Sequence, residues 1–181
     1  MAKEQWDMLS FEHGTLAVVA LAVVTRGDSL SRIVFECSPE AASTSVKRFH
    51  PEAKQSSQPL IEECLKQLTE YFFGKRCTFD IQPGTDSLSV FARKVQQALI
   101  EVPYGSVVSY GELAARAGSP KAARAVGRVM SSNPFPLLVP CHRVVNADGC
   151  IGHYSAAHGS RTKAWLIDFE RDIARSLSDN P

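Results

Sequence analysis

The 181-residue sequence lacks the features that would place it in a membrane or build it around a metal ion. Its five cysteines form no Cys-x-x-Cys pair, and no Cys/His cluster has the spacing of zinc ligands. The longest apolar run, Leu16–Val24, is too short to cross a bilayer. A formal net charge of +1 gives the whole chain no attraction for nucleic acid, membranes or acidic substrates. Any such preference must come from a local surface.

A secretory signal is also absent from the sequence. Met1–Ser10 is polar and has no basic segment followed by a hydrophobic core. An odd number of cysteines without such a signal is typical of reduced thiols. We therefore expect a cytoplasmic protein, associated with the nucleoid in a prokaryote or with the nucleus in a eukaryote. The 44% hydrophobic content is enough for a buried core in one large domain or two small ones.

Residues 1–86 have the pattern of a small mixed α/β domain. Two β-rich segments, Leu16–Val24 and Arg32–Cys37, are separated by turn-forming residues and predict a hairpin. A short helix is expected at Pro39–Phe49, apolar periodicity predicts a second helix at Pro59–Phe73, and alternation at Cys77–Gln82 predicts a closing strand. The first domain therefore combines a sheet with two helices.

The character of the chain changes after Pro83–Ser87, which is the predicted linker before a second domain of residues 87–181. This domain begins with a predicted helix at Leu88–Glu101, for which Ser87 is the expected N-cap. A short helix at Tyr110–Ala117 and a second at Pro120–Ser131 follow, joined by a turn that contains glycine. Two helices joined in this way predict a helix-turn-helix, whose second helix commonly contacts DNA.

The local charge of this segment favours the same interpretation. From Leu113 to Ala147 there is no Asp or Glu. The basic residues in the stretch are Arg116, Lys121, Arg124, Arg128 and Arg143. Small residues in the second helix, including Ala123 and Gly127, would allow close approach to a groove or phosphate. The alternative is a closely packed helix with solvated arginines.

The rest of the second domain predicts a winged helix. Val144–Val145 and Ile151–Tyr154 have the pattern of short strands around a turn at Asn146–Gly149. A helix at Lys163–Leu177 follows, with Glu170 at the edge of its apolar face. Such a carboxylate is either a surface charge or the partner of a buried imidazole.

Cys141 and His142 are adjacent in the segment Pro140–Val144, where an apolar run ends. A buried thiol would be inert, whereas a thiolate beside a base or cation would be a strong nucleophile. Adjacency in an extended segment is weak support for a catalytic pair, because neighbouring side chains point to opposite faces. A structural and a catalytic cysteine therefore both remain open from this segment alone.

Several motifs in the second half, in order and at compatible spacing, resemble the O6-alkylguanine-DNA alkyltransferase family. They are Val102–Gly105, Ser109–Gly111, Ala122–Gly127, Asn133–Pro134 and Pro140–Val144. The resemblance implies an α/β (α+β) protein, with an N-terminal ribonuclease H-like mixed domain and a C-terminal helix-turn-helix, winged-helix-like domain. The N-terminal part resembles the family only in its coarse strand and helix pattern.

The resemblance also implies roles for individual residues. Cys141 would accept the alkyl group, His142 would draw off its proton through a water, and Glu170 would hold the imidazole. Asn133 would join this hydrogen-bond network. Other residues are implied to line the pocket for the flipped base: Tyr110, Met130, Pro136, Tyr154, Ser155 and Lys163. Those implied to contact DNA are Arg124, Tyr110, Ala123, Gly127, Arg116, Lys121 and Arg128.

The expected function is then direct reversal of DNA damage. The protein would act as a monomer on double-stranded DNA that contains O6-alkylguanine, with O4-methylthymine as a further candidate substrate. Base flipping would precede transfer to Cys141, and each molecule would react once without a metal or cofactor. Two alternatives are a lesion-binding protein without activity and a winged-helix regulator that senses alkylation or oxidation through its thiol. A cysteine hydrolase would leave Tyr110 and Arg124 without a role.

Overall fold

The computed structural model describes residues 2–13, 16, 18–85 and 88–179, which divide into two compact units. The first unit contains the described residues up to Gly84, together with 134–136 and 156–158. The second contains those of 85–133, 137–155 and 159–181. Helices and strands are present in both units, so the predicted mixed α/β class is confirmed.

The first unit is built on a four-stranded sheet in the order β3-β2-β1-β4. Its strands are β1 (Glu4–Glu12), β2 (Val18–Arg26), β3 (Ser29–Glu36) and β4 (Lys54–Gln55). β2 pairs antiparallel with both β1 and β3, and β4 pairs parallel with β1. Val19 to Val24 are all 0% exposed. Because successive strand residues face opposite sides, both faces of the sheet are covered at β2.

Two helices of the first unit begin with proline at their amino ends: α1 (Pro39–Phe49) and α2 (Pro59–Phe72). The hydroxyl of Ser38 accepts a hydrogen bond from the Ala41 amide at 3.1 Å and caps α1. Ala42 and Val46 of α1 join a buried cluster with Trp6 of β1. The sheet and α1 thus share one apolar core.

The first unit contains one strand that was not predicted and lacks one that was. β1 is formed by a polar segment from which no strand was predicted, because its pairing with β2 stabilises it rather than its own hydrophobic pattern. Cys77–Gln82 forms no strand; next to it, Pro83 makes only an isolated bridge to Leu30. Alternation of apolar residues does not by itself supply a partner strand.

The second unit is mainly helical. Its elements are α3 (Val90–Ile100), β5 (Val108–Ser109), α4 (Tyr110–Arg116), α5 (Ala123–Ser131), β6 (Val144–Val145) and α6 (Ser160–Asp179). Ser109 and Glu112 form a capping box that fixes the start of α4. Gly118 has φ +75° in the turn between α4 and α5. The predicted helix-turn-helix is therefore present.

Details of the second unit differ from prediction. Ser87, the expected cap of α3, lies outside the described residues, and the Ser89 hydroxyl caps the helix instead. α5 begins at Ala123 rather than Pro120, because residues 120–121 form a turn. The predicted hairpin is wrong, since β6 pairs parallel with β5 and residues 151–154 form no strand. Within the described helices, no segment combines the length and apolarity needed to span a membrane.

Candidate active site and DNA-binding surface

A single 3₁₀ turn in the second unit, Cys141–Arg143, contains two of the candidate catalytic residues, Cys141 and His142. Buried apolar residues lie on both sides of it, at Val139 and Val144. The amide of Arg143 donates to the Pro140 carbonyl at 2.9 Å and closes the turn. Cys141, His142 and Arg143 are exposed by only 6%, 0% and 6%. The segment is therefore not extended, and the rule that neighbouring side chains point to opposite faces does not apply to it.

Asn133 positions the thiol. Its side-chain nitrogen Nδ2 donates to the Val139 carbonyl at 2.8 Å and lies 3.2 Å from Cys141 Sγ. Burial raises the pKa of the Cys141 thiol, although the Asn133 hydrogen bond and the Lys163 charge act in the opposite direction. Burial therefore favours the protonated thiol over the thiolate. A base must remove its proton during reaction.

His142 is suited to be that base. Its Nε2 lies 2.9 Å from Glu170 Oε1. A carboxylate only accepts hydrogen bonds, so Nε2 carries the proton and Nδ1 has the free lone pair. Nδ1 is buried and has no hydrogen-bond partner among the described residues. Burial lowers the pKa of His142, and this outweighs the opposing effect of Glu170, so the imidazole is neutral at rest.

Glu170 is the centre of a buried hydrogen-bond network. Besides His142, it accepts from Arg143 Nε at 2.8 Å and Nη2 at 2.9 Å, and from the Gly105 amide at 3.1 Å. Burial alone would raise the pKa of Glu170, but its interactions with His142 and Arg143 lower it to about 2. Of the two roles left open by the sequence, the structure gives Glu170 that of partner to a buried imidazole.

Arg143 was counted with the basic surface of the sequence, and this assignment is wrong. Its guanidinium is buried, donates twice to Glu170, and donates from Nη1 to the Val102 carbonyl at 2.7 Å. Its centre also lies 5.5 Å from the centroid of the Tyr104 ring. Net local charge could not reveal this position, because the partner carboxylate is far away in the sequence.

A cleft opens beside the thiol. It is lined by Tyr110, Gly127, Met130, Ser131, Cys141, His153, Tyr154 and Ser155. Four predicted pocket residues, Tyr110, Met130, Tyr154 and Ser155, lie in this wall. Ser131 was not predicted, since it ends a helix and belongs to none of the motifs. Pro136 groups with the first unit, so its contribution to the pocket stays a prediction.

The Tyr110 ring lies in a narrow space. A Cβ atom added to Gly152 would lie 3.2 Å from the Tyr110 hydroxyl, and one added to Gly127 would lie 4.0 Å from the ring. Lys163 is 1% exposed, and its Nζ lies 5.8 Å from the Tyr110 ring centroid. Burial lowers the pKa of Lys163, which the charge of Cys141 would raise again if the thiol ionised.

The helix-turn-helix carries the predicted basic surface. Exposed side chains on and before α5 are Arg116, Lys121, Arg124 and Arg128. None of the four forms an ion pair with another residue in the described ranges. Ala123 and Gly127 are half-buried on the same helix. In the described part of the chain, no group of three or more His, Cys, Asp or Glu side chains could hold a metal ion.

Known proteins resemble this chain in sequence and in fold. Residues 90–172 match the family model described as "6-O-methylguanine DNA methyltransferase, DNA binding domain". The constitutive methylated-DNA--protein-cysteine methyltransferase of Bacillus subtilis is 44% identical over 115 residues, which cover 62% of this chain and 67% of that protein. The methylated-DNA--protein-cysteine methyltransferase of Methanosarcina acetivorans is 38% identical, over 66% of this chain and 75% of that protein.

A solved structure extends the similarity over most of the chain. The crystal structure of Mycobacterium tuberculosis OGT in complex with DNA gives a TM-score of 0.70 at 30% identity, and covers 93% of this chain and 94% of that one. The fold and site are those of a DNA-binding protein with a buried thiol and a buried His/Glu/Arg hydrogen-bond network. The chain belongs to the O6-alkylguanine-DNA alkyltransferase family, as its motifs predicted.

Proposed function

We propose that this protein repairs DNA directly, by transferring the alkyl group from O6 of guanine to Cys141. The observation that carries the proposal is the arrangement at the cleft. Cys141 lines it, and the next residue, His142, is held by a buried carboxylate with its Nδ1 unpaired among the described residues. A thiol is activated in this way when a neighbouring imidazole, held by a carboxylate, can accept its proton.

The proposed reaction is one displacement. His142 Nδ1 takes the proton of Cys141, directly or through a water, as Sγ forms a bond to the alkyl carbon. The bond between that carbon and O6 breaks, and its electron pair stays on the guanine, which takes up one proton. Overall, the thiol loses one proton and the guanine gains one, so protons and charge balance. The thioether is stable, so each molecule reacts once.

Glu170 would support this transfer electrostatically. Its carboxylate lies 2.9 Å from His142 Nε2 and stabilises the imidazolium that forms during transfer. Lys163, whose charge favours the ionised thiol, would stabilise the developing negative charge on sulfur. Tyr154 has a buried hydroxyl without a hydrogen-bond partner among the described residues, in the wall of the same cleft. It could donate to a flipped base.

DNA is the proposed partner because the exposed arginines and Lys121 lie on the helix-turn-helix. The alkyl carbon on O6 is inaccessible in a stacked duplex, so the guanine must be extruded. Extrusion costs a few kcal/mol, and the cost is smallest for a damaged base. Arg124 is exposed on α5 and is the proposed occupant of the vacated stack. The small residues Ala123 and Gly127 suit shallow approach to the minor groove, where little sequence is read.

The test is to incubate the protein with duplex DNA containing a single O6-methylguanine, and to measure the intact mass and the peptide map. We expect a gain of one methylene unit on the peptide that contains Cys141, and no gain for Cys141→Ser. A protein that binds the lesion with unchanged mass would instead be the lesion-binding alternative. Cys64→Ser is the matched control, because Cys64 is a buried core thiol in the first unit with a pKa raised to about 12.

A further inference from the structure

Arg143 has a position that the proposed reaction does not explain. It immediately follows His142, yet both side chains contact the same carboxylate of α6. Removing an ion pair from water is expensive, and well-packed apolar side chains in place of both Arg143 and Glu170 would often be at least as stabilising. A buried arginine beside a reactive centre therefore suggests a functional contribution.

The first contribution is orientation. Glu170 Oε1 accepts from His142 Nε2 and Arg143 Nη2, and Oε2 accepts from Arg143 Nε and the Gly105 amide. The two parallel bonds from Arg143 hold the carboxylate plane, since a bidentate pair fixes geometry better than a single bond. Nη1 is itself anchored to the Val102 carbonyl. The carboxylate cannot turn away from the imidazole without breaking these bonds.

The second contribution is charge. The charges that act on His142 are those of Glu170 and Lys163 of α6 and of Arg143 in the turn, and Tyr154 of the cleft wall interacts with Glu170. Arg143 balances the charge of Glu170. Without Arg143, the full negative charge would act on His142 and favour the imidazolium. An imidazolium cannot accept the thiol proton.

The pKa of His142 is consistent with this balance. Burial lowers it most, Glu170 raises it, and the charges of Arg143 and Lys163 lower it again. We propose that Arg143 is a positioning residue for alkyl transfer, which holds Glu170 against His142 while keeping the imidazole neutral and able to take the proton of Cys141. This inference rests on the proposed function.

The experiment compares Arg143→Gln and Arg143→Lys with wild type. It measures the single-turnover rate of methyl transfer at saturating duplex from pH 5.5 to 9, and the Kd for the duplex. For Arg143→Gln we expect a rate about ten- to a hundredfold lower at pH 7. The acid limb of the pH–rate profile, where the rate falls as His142 becomes protonated, should move up by about one pH unit. Arg143→Lys keeps the charge but not the bidentate geometry, so its rate should fall while the limb stays in place. Both variants should keep the wild-type Kd, because the residue is buried.

Arg175→Gln is the control, since the Arg175 side chain is 76% exposed on α6. It should behave as wild type. An Arg143→Gln rate that is unchanged, or lowered by the same factor at every pH, would overturn the proposal. If Arg143→Gln does not fold, a shifted limb in Arg143→Lys would still overturn it. Wild-type protein that transfers no methyl group would instead overturn the proposed function.

Discussion

Gly105 is a position where one added methyl group should disturb both the fold and the site. Its φ is +76°, a left-handed conformation that costs an L-residue about 1–2 kcal/mol. A Cβ there would lie 2.9 Å from Ala174 Cβ and 3.1 Å from the Glu170 carbonyl oxygen, both on α6. Overpacking of this kind costs about 1–3 kcal/mol. We therefore expect Gly105→Ala to lower the free energy of unfolding by about 2–5 kcal/mol.

Gly118 provides the matched control for this change. It has φ +75°, but a Cβ at Gly118 would meet nothing within 4 Å. Gly118→Ala should therefore lose only the conformational part, about 1–2 kcal/mol. Urea unfolding gives both values, and each kcal/mol should lower Tm by about 2–4 °C. Equal losses in the two variants would refute the argument that contact with α6 requires glycine at position 105.

The same substitution tests the site, because the Gly105 amide donates to Glu170 Oε2 at 3.1 Å. We expect Gly105→Ala to slow methyl transfer in protein that is still folded at the assay temperature, since displacement from α6 weakens this bond. Gly118→Ala should keep the wild-type rate once DNA is saturating. Two variants with the same rate at saturation would show that the bond to Gly105 does not affect catalysis.

Two further predictions concern pH and base flipping. Because the pKa of Glu170 is lowered from 4.5 to about 2, its charge stabilises the fold above pH 4.5, and this is lost as pH falls towards 2. The difference in unfolding free energy between wild type and Glu170→Gln should shrink by on the order of 3 kcal/mol over that range; a constant difference in denaturant unfolding would contradict this. Arg124→Ala should slow transfer from duplex DNA by about tenfold or more, but transfer from free O6-methylguanine by less than about twofold, because only the duplex base must be extruded. Equal slowing in single-turnover assays of both substrates would remove the flipping role.

Much of the fold could be predicted because local signals and tertiary structure agree. Apolar periodicity located α2, and both α1 and α2 were predicted within one residue of their observed bounds. β6 was predicted at Val144–Val145, but its partner β5, in an earlier part of the chain, was not. β1 was not predicted either, because its pairing with β2 stabilises it rather than a strand-like pattern of its own. The predicted hairpin of the winged helix is wrong because β6 pairs with Val108–Ser109 rather than with the following segment.

The site, too, could be predicted only in part from the sequence. Motif resemblance indicated Cys141, His142, Glu170 and Asn133, and the structure pairs Asn133 with Cys141 and His142 with Glu170 by hydrogen bonds. Sequence alone could not give the protonation of the thiol, which depends on burial, or the position of Arg143, which depends on a carboxylate of α6. Charge patterning distinguishes a basic stretch from an acidic one, but it does not identify which arginine of the stretch is buried.

The central claim is that Cys141 accepts one alkyl group and is then consumed. The most direct measurement is a titration of a fixed amount of protein with increasing duplex containing O6-methylguanine, in which repaired guanine and methylated Cys141 are quantified together. We predict that both rise equally and stop at one equivalent per protein molecule. Repair that continues beyond one equivalent, or repaired guanine without methyl on Cys141, would contradict the account.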